Sequence, residues 1–211
     1  MSPRLTAIAS SAAAALMTAV AAHACHRTRR LRAALTRALT DPVTGLPVRQ
    51  VAEQHLADVR QPVSVALIDV DDLHGFNSAH THTGGDLYLA AVAARLRQAS
   101  TPGDVVARLG GDEFVLVSSR PPDEVSDGLA AALKDRTRIG ATLFPIRVSI
   151  GVARTDPHIA LSCADLAMYT AKRRGGGIEH YDPVRDGHPL PAGSRPAHRR
   201  RDRASAAQPR T

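Results

Sequence analysis

Two pairs of acidic residues border segments that are predicted to be β-strands. Asp69 and Asp71 lie at the end of a nearly continuous apolar run, and Asp112 and Glu113 follow two glycines between two short β runs. Carboxylate oxygens suit Mg²⁺, which takes one or two protein carboxylates and completes its shell with water and phosphate. The sequence therefore predicts a divalent-cation site, for Mg²⁺ or Mn²⁺, where these acids meet.

Solvated loop acids are the alternative interpretation for part of this set. That alternative stays open for Asp71 and Glu113, and for Asp72 it is the preferred interpretation. Asp69 lies at the end of a strand that is predicted to be buried. Asp112 follows two glycines, which let the backbone approach a ligand closely. Asp69 and Asp112 are therefore the first candidates for metal ligands.

The elements that must position these acids alternate between helix and strand. Apolar periodicity and turn residues predict helices at 48–59, from about Gly85, near 123–134 and over about 161–174, and strands at 63–70, 105–109, 114–117 and 146–152. Three consecutive glycines from Gly175 end the last helix. This order predicts an α/β (α+β) fold, a mixed sheet flanked by helices.

A series of short motifs runs in order from Asp41 to about Gly177, about two thirds of the chain. The motifs are Asp41-Pro42-Val43-Thr44-Gly45-Leu46, Asp69-Val70-Asp71, Asn77, His82, Gly85-Asp86, Arg108-Leu109-Gly110-Gly111-Asp112-Glu113-Phe114, Ser149-Ile150-Gly151-Val152 and Ala164-Asp165 with Tyr169-Thr170-Ala171-Lys172. The ordered set resembles the GGDEF family of diguanylate cyclases. The resemblance implies a palm-like, nucleotide-cyclase-like fold. It also implies that two GTP-loaded domains meet as a homodimer, make cyclic di-GMP and release pyrophosphate.

The resemblance also implies roles for individual residues. Asp69 and Asp112 would hold metal ions with the Val70 carbonyl, and Glu113 would support the metal site and the attacking ribose hydroxyl. The substrate-binding residues would be Asn77 and Asp86 on the guanine edge, Gly110 and Gly111 beside GTP, and Lys172 on phosphate. From the residues alone, Asn77 could instead cap a turn and Asp86 could be a helix N-cap.

Several positions depart from the family pattern. His74 stands where a phosphate-binding Lys is common, Gly176 replaces an expected Arg, and Thr81 replaces a Gly. In many relatives the product binds an inhibitory Arg-x-x-Asp site, and here the equivalent ends are Thr101 and Asp104. These departures predict a weak cyclase without product inhibition. The alternative is a degenerate module that binds GTP or a protein partner without turnover.

The ends of the chain differ in charge from the middle. The net charge of +7 comes from arginines in both flanks, and no aromatic side chains lie between them to stack on bases. Nucleic acid is therefore not predicted as the main partner. Residues 183–211, which include Arg199 and Arg203, are predicted to be a disordered Arg- and Pro-rich tail.

An uncharged run from Leu5 to Ala24 precedes an Arg-rich segment. Its length predicts a membrane anchor over residues 1–26, a basic juxtamembrane helix or linker over 27–40 and a GGDEF domain over 41–182. The positive-inside rule then places the domain in the cytoplasm, on a single-pass inner or plasma membrane protein. A cleaved signal peptide and a soluble Ala-rich helix remain alternatives.

Overall fold

The computed structural model describes residues 3–189, without the side chains of residues 3–16, 18 and 19. The helices are α1 (Pro3–Ala38), α2 (Arg49–Asp58), α3 (Leu73–Ala99), α4 (Pro122–Leu133), α5 (Pro157–Arg173) and α6 (Pro183–Asp186). The strands are β1 (Val63–Val70), β2 (Val105–Gly110), β3 (Glu113–Ser118), β4 (Thr137–Ile139), β5 (Thr142–Phe144), β6 (Val148–Thr155) and β7 (Gly177–His180).

Five strands form a mixed sheet in the order β2-β3-β1-β6-β7. Neighbouring strands are antiparallel except β6 and β7, which are parallel. The strands β4 and β5 form a separate two-stranded hairpin. The central strand β1 is buried at every position, as its continuous apolar sequence predicts.

Helices cover both faces of the sheet, so the molecule has two apolar cores. The core on one face joins Ile68 and Phe114 to residues of α3 and α4. The core on the other face joins Val65 and Val115 to residues of α2 and α5. Because side chains alternate along a strand, the same strands serve both cores. The fold is the predicted mixed sheet flanked by helices.

A close contact between α5 and β6 depends on Gly151. A Cβ atom built there would lie 2.0 Å from the Ala164 carbonyl oxygen and 2.2 Å from the Met168 nitrogen. Both atoms belong to the helix backbone and cannot rotate aside. Glycine at this position therefore sets how closely α5, which carries Lys172, packs on the sheet.

The observed elements differ from the predicted ones in three places. The helix α3 begins at Leu73, not near Gly85, and contains a break at Thr81. The strands β4, β5 and β7 were not predicted, because runs of three or four residues show no clear period. The predicted disordered tail begins with α6, whose N-cap Asp182 accepts hydrogen bonds from the Val184 and Arg185 nitrogens. Residues 190–211 of that tail lie outside the described residues.

The helix α1 covers most of the predicted anchor and the basic segment after it. Within residues 3–189, no helix is both long enough and apolar enough to cross a bilayer. The prediction of a membrane span over residues 1–26 therefore gains no support from the structure. Beyond Val20 the helix side chains through Ala38 are exposed, among them Leu31 and Leu35.

Candidate active site

The end of β1 and the tip of the β2–β3 hairpin lie side by side. Asp69 is the register partner of Glu113, and the Val70 nitrogen donates to the Asp112 carbonyl oxygen at 3.0 Å. Gly110 has a φ of 139° and Gly111 a φ of 58°, values that favour glycine. A Cβ at either glycine would meet nothing within 4 Å, so the tip leaves open space beside the acids.

Asp69 is the most strongly perturbed carboxyl of this group. Its side chain is only 10% exposed, and the Lys172 Nζ lies 2.8 Å from its Oδ2. Burial raises the pKa of Asp69, pairing with Lys172 lowers it, and the nearby Asp112 and Glu113 raise it, with a net value of about 6. The structure thus brings three predicted carboxylates and the predicted phosphate-binding lysine together.

The carboxylates at the end of β1 and the hairpin tip can supply part of the coordination shell of a magnesium ion, with phosphate and water as the remaining ligands. Among the described residues, no group of three or more His, Cys, Asp or Glu side chains is arranged to hold a metal ion. Mg²⁺ needs only one or two protein carboxylates when phosphate and water supply the rest of its shell. Asp69 is buried beside Asp112 and Glu113. A bound cation would stabilise its charged form, because the cation offsets the repulsion between these like charges.

The other two acids after β1 have structural partners. The Ser149 hydroxyl donates to Asp71 Oδ1 at 2.7 Å, which ties the end of β1 to β6. Asp72 caps α3, where its Oδ1 accepts from the Gly75 nitrogen at 3.2 Å. Asp72 is exposed, as the solvated-acid interpretation predicts, and also caps the helix, whereas Asp71 is half-buried. Ser149 on β6 therefore helps to hold Asp71 in position.

Arginines brace the hairpin from both sides. Arg108 donates to the Gly111 carbonyl oxygen through Nε and Nη2, and its Nη1 lies 2.9 Å from Asp41 Oδ1. Arg49 donates to the Leu109 carbonyl oxygen and lies 3.6 Å from Glu113. These contacts give Arg108 a structural role at the base of the hairpin. Arg49 also lies 3.6 Å from Glu53, four residues further along α2. Sequence reasoning gave Arg49 no role, because its contacts with the hairpin join segments about 60 residues apart.

Asn77 and Asp86 lie on either side of the break in α3. The Asn77 Oδ1 is buried without a hydrogen-bond partner among the described residues, and a Cβ at Gly85 would lie 1.8 Å from it. Gly85 is therefore needed for the position of Asn77. Asp86 is exposed and lies inside α3, so its predicted N-cap role is wrong. The unsatisfied Asn77 oxygen lies against Gly85, and the exposed Asp86 is the next residue in the chain. Both side chains could accept hydrogen bonds from a ligand edge rich in N–H groups, as guanine has.

The departures from the family pattern leave the carboxylates with one neighbouring lysine. His74 is exposed on the first turn of α3. Gly176 has a φ of 104° beyond the end of α5, and a Cβ there would lie 3.1 Å from Asp71 Oδ2. Arg173 lies over the Tyr169 ring and Arg174 pairs with a glutamate, so these arginines do not replace the missing cation.

The predicted inhibitory position is occupied by an internal ion pair. Asp104 is only 3% exposed at its side chain, and its Oδ2 lies 2.6 Å from Arg120 Nη2. The same oxygen accepts from the nitrogen and the hydroxyl of Thr101. Burial would raise the pKa of Asp104, but hydrogen bonds from Ser118 and Thr101, together with Arg120, outweigh burial and hold the pKa below its usual value.

The fold and the carboxylate cluster define the class of protein. Residues 38–177 match the family described as "Diguanylate cyclase, GGDEF domain". The chain belongs to the GGDEF domain family.

Curated relatives show how far the likeness extends. An uncharacterised 19.3 kDa protein of Streptomyces ambofaciens is 37% identical over 164 residues, which are 73% of this chain and 87% of that protein. Diguanylate cyclase DgcP of Escherichia coli is 31% identical over 158 residues, 67% of this chain and 46% of the relative. The chain thus matches less than half of the E. coli enzyme's length.

Solved structures show the same architecture. The GGDEF domain of TpbB (YfiN) from Pseudomonas aeruginosa is 31% identical, with a TM-score of 0.63 over 70% of this chain and 96% of that one. The coiled coil and GGDEF domain of DgcB from Caulobacter crescentus, solved with c-di-GMP, is 24% identical. It has a TM-score of 0.65 and covers 78% of this chain and 98% of that one. The second likeness concerns the fold alone.

Proposed function

We propose that this protein is a diguanylate cyclase that condenses two molecules of GTP into cyclic di-GMP and releases pyrophosphate. The observation that carries the proposal is the meeting of Asp69, Asp112, Glu113 and Lys172 at the end of β1. Membership of the GGDEF family supports the reaction class.

Each residue at the site has a task in this reaction. Asp69, Asp112 and the Val70 carbonyl would hold the metal, which when bound neutralises charge on the phosphorus oxygens. Glu113 would position the attacking ribose hydroxyl, and Arg49 holds Glu113 in place. Lys172 is tied to Asp69 without substrate and would turn to the phosphates when GTP enters. Asn77 and Asp86 would read guanine.

The reaction needs two domains, because each supplies one GTP. A homodimer that apposes two hairpin tips would place each ribose hydroxyl against the other nucleotide's phosphate. Open space beside Gly110 and Gly111 supports this arrangement, since within residues 3–189 no atom lies within 4 Å of the position that a Cβ would take at either glycine. We expect turnover per protein molecule to rise with protein concentration.

Turnover should be slow and free of product inhibition. Two phosphate-binding cations of the family pattern are replaced by His74 and Gly176, and each loss costs about 10–100-fold in GTP affinity or rate. Cyclic di-GMP would not inhibit the protein at the Thr101–Asp104 position, because Thr101 supplies no cation and Arg120 already pairs with Asp104. Saturating cyclic di-GMP should leave the initial rate unchanged.

The test is incubation of the full chain with GTP and Mg²⁺, followed by chromatography for cyclic di-GMP. Asp112→Ala should abolish the product. Asp127→Ala is the matched control, because Asp127 is an exposed acid on α4, and this variant should retain the wild-type rate.

The outcomes separate the alternatives. GTP binding without product at high protein concentration would refute the proposed cyclase activity and favour a degenerate GTP-binding module. Product that persists in Asp112→Ala would remove the hairpin from the mechanism. The predicted location at the inner or plasma membrane stays a prediction, and membrane fractionation of cells that express the chain tests it.

A further inference from the structure

Three arginines converge on a pocket of about 290 Å³ at the end of α5. Thr170 and Arg173 line it from α5, Arg174 lines it from the C-cap of that helix, and Arg185 lines it from α6. Lys172 on α5 reaches Asp69, but successive helix residues turn by about 100°, so Arg174 lies on a different side of the helix. The pocket is therefore separate from the carboxylate cluster.

A shared carboxylate draws two of these guanidinium groups together. Glu179 Oε1 lies 2.5 Å from Arg174 Nη1, and Glu179 Oε2 lies 2.8 Å from Arg185 Nη1. Arg185 is also held by both oxygens of Asp186 and by the His180 carbonyl oxygen. Most of its N–H groups are used, so Arg185 is fixed in place and contributes mainly charge.

The remaining donors belong to Arg173 and Arg174. Arg174 is 58% exposed at its side chain, and among the described contacts only its Nη1 donates, to Glu179. The Arg173 guanidinium lies over the Tyr169 ring, 6.0 Å from its centroid, and within residues 3–189 this side chain makes no hydrogen bond or ion pair. Two adjacent guanidinium forks with free N–H groups match the oxygens of a phosphate group.

The size and charge of the pocket narrow the ligand. Small-molecule pockets span about 300–1,000 Å³, so this one suits a compact ligand rather than a dinucleotide. The chain's own C-terminal segment does not complement it, because residues 190–211 carry six arginines and one acid, Asp202. We infer that the pocket binds a compact phosphate-class oxyanion the size of pyrophosphate, through Arg173 and Arg174.

Calorimetric titration of the full chain with sodium pyrophosphate tests this site. EDTA is present so that metal-dependent binding at the carboxylates does not contribute, and inorganic phosphate is titrated in parallel. The double variant Arg173→Gln/Arg174→Gln should bind pyrophosphate at least ~10-fold more weakly, because it loses two charge-assisted donors. The double variant Arg136→Gln/Arg138→Gln removes two exposed charges around β4 and should bind like the wild type.

Each result supports or overturns the site. No binding by the wild type, or equal losses in both double variants, would overturn it, since the second result reports only net charge. Loss of pyrophosphate binding in Asp112→Ala would place the anion at the carboxylates and also overturn it. GTP turnover is measured on the same samples, so a failed cyclase assay and a failed pyrophosphate titration are distinguishable.

Discussion

Thr81 has a backbone conformation that favours glycine. Its φ of 67° and ψ of 166° break α3 into two segments, and its side chain is exposed. For a residue with a Cβ this region costs about 1–3 kcal/mol, and threonine is also branched at Cβ. Thr81 stands where the GGDEF family pattern has glycine. Thr81→Gly should therefore stabilise the protein.

The expected gain follows from two opposing effects. Glycine removes about 1–3 kcal/mol of strain but adds about 0.5–1 kcal/mol of unfolded-chain entropy. The net increase in the free energy of unfolding is therefore between roughly 0 and 2.5 kcal/mol. Urea denaturation measures it as a higher midpoint with an unchanged slope. Because Asn77 and Asp86 lie on opposite sides of the break, GTP affinity is measured as well, and it should be unchanged or tighter.

A control separates strain from helix propensity. Thr83→Gly changes an exposed threonine within the second segment of α3, where glycine should cost a few tenths of a kcal/mol. If Thr81→Gly lowers the midpoint as Thr83→Gly does, the chain does not adopt this conformation at Thr81, and α3 is not broken there.

Three further predictions concern packing and charge. Gly151→Ala should destabilise the fold by ~3 kcal/mol or more in urea, because its Cβ would overlap the α5 backbone; a smaller loss would mean that α5 can shift. Arg120→Leu should cost about 2–3 kcal/mol by leaving the buried Asp104 carboxylate without its cation, although the Thr101 hydrogen bonds remain, and Arg120→Lys should recover part of that loss. The raised pKa of Asp69 means that the folded state holds its proton more tightly, so this group's contribution to stability falls by up to ~3 kcal/mol as pH rises from about 4 to 6. Asp69→Asn should remove that difference, and parallel pH profiles of the two proteins would contradict the assignment.

Local sequence was enough to predict the elements whose pattern is unambiguous. The apolar run of β1 coincides with the observed strand, Val63–Val70. The paired glycines predict the hairpin tip, and the glycines from Gly175 end α5 at Arg173. Each of these features depends on residues adjacent in the chain, so no distant contact is needed to specify it. The order of the motifs also indicated the family that the comparison shows.

The pairings at the site were decided by the tertiary structure. Ser149 and Asp71, which share a hydrogen bond, are 78 residues apart. Thr81 has a non-helical backbone conformation although the residues on both sides of it are helical. The pairing of Lys172 with Asp69 depends on α5 packing closely on β6. The sequence by itself determined which residue types were available and which strand carries them. Only the packed sheet decided which carboxylate meets which cation, because that choice depends on distances between segments far apart in the chain.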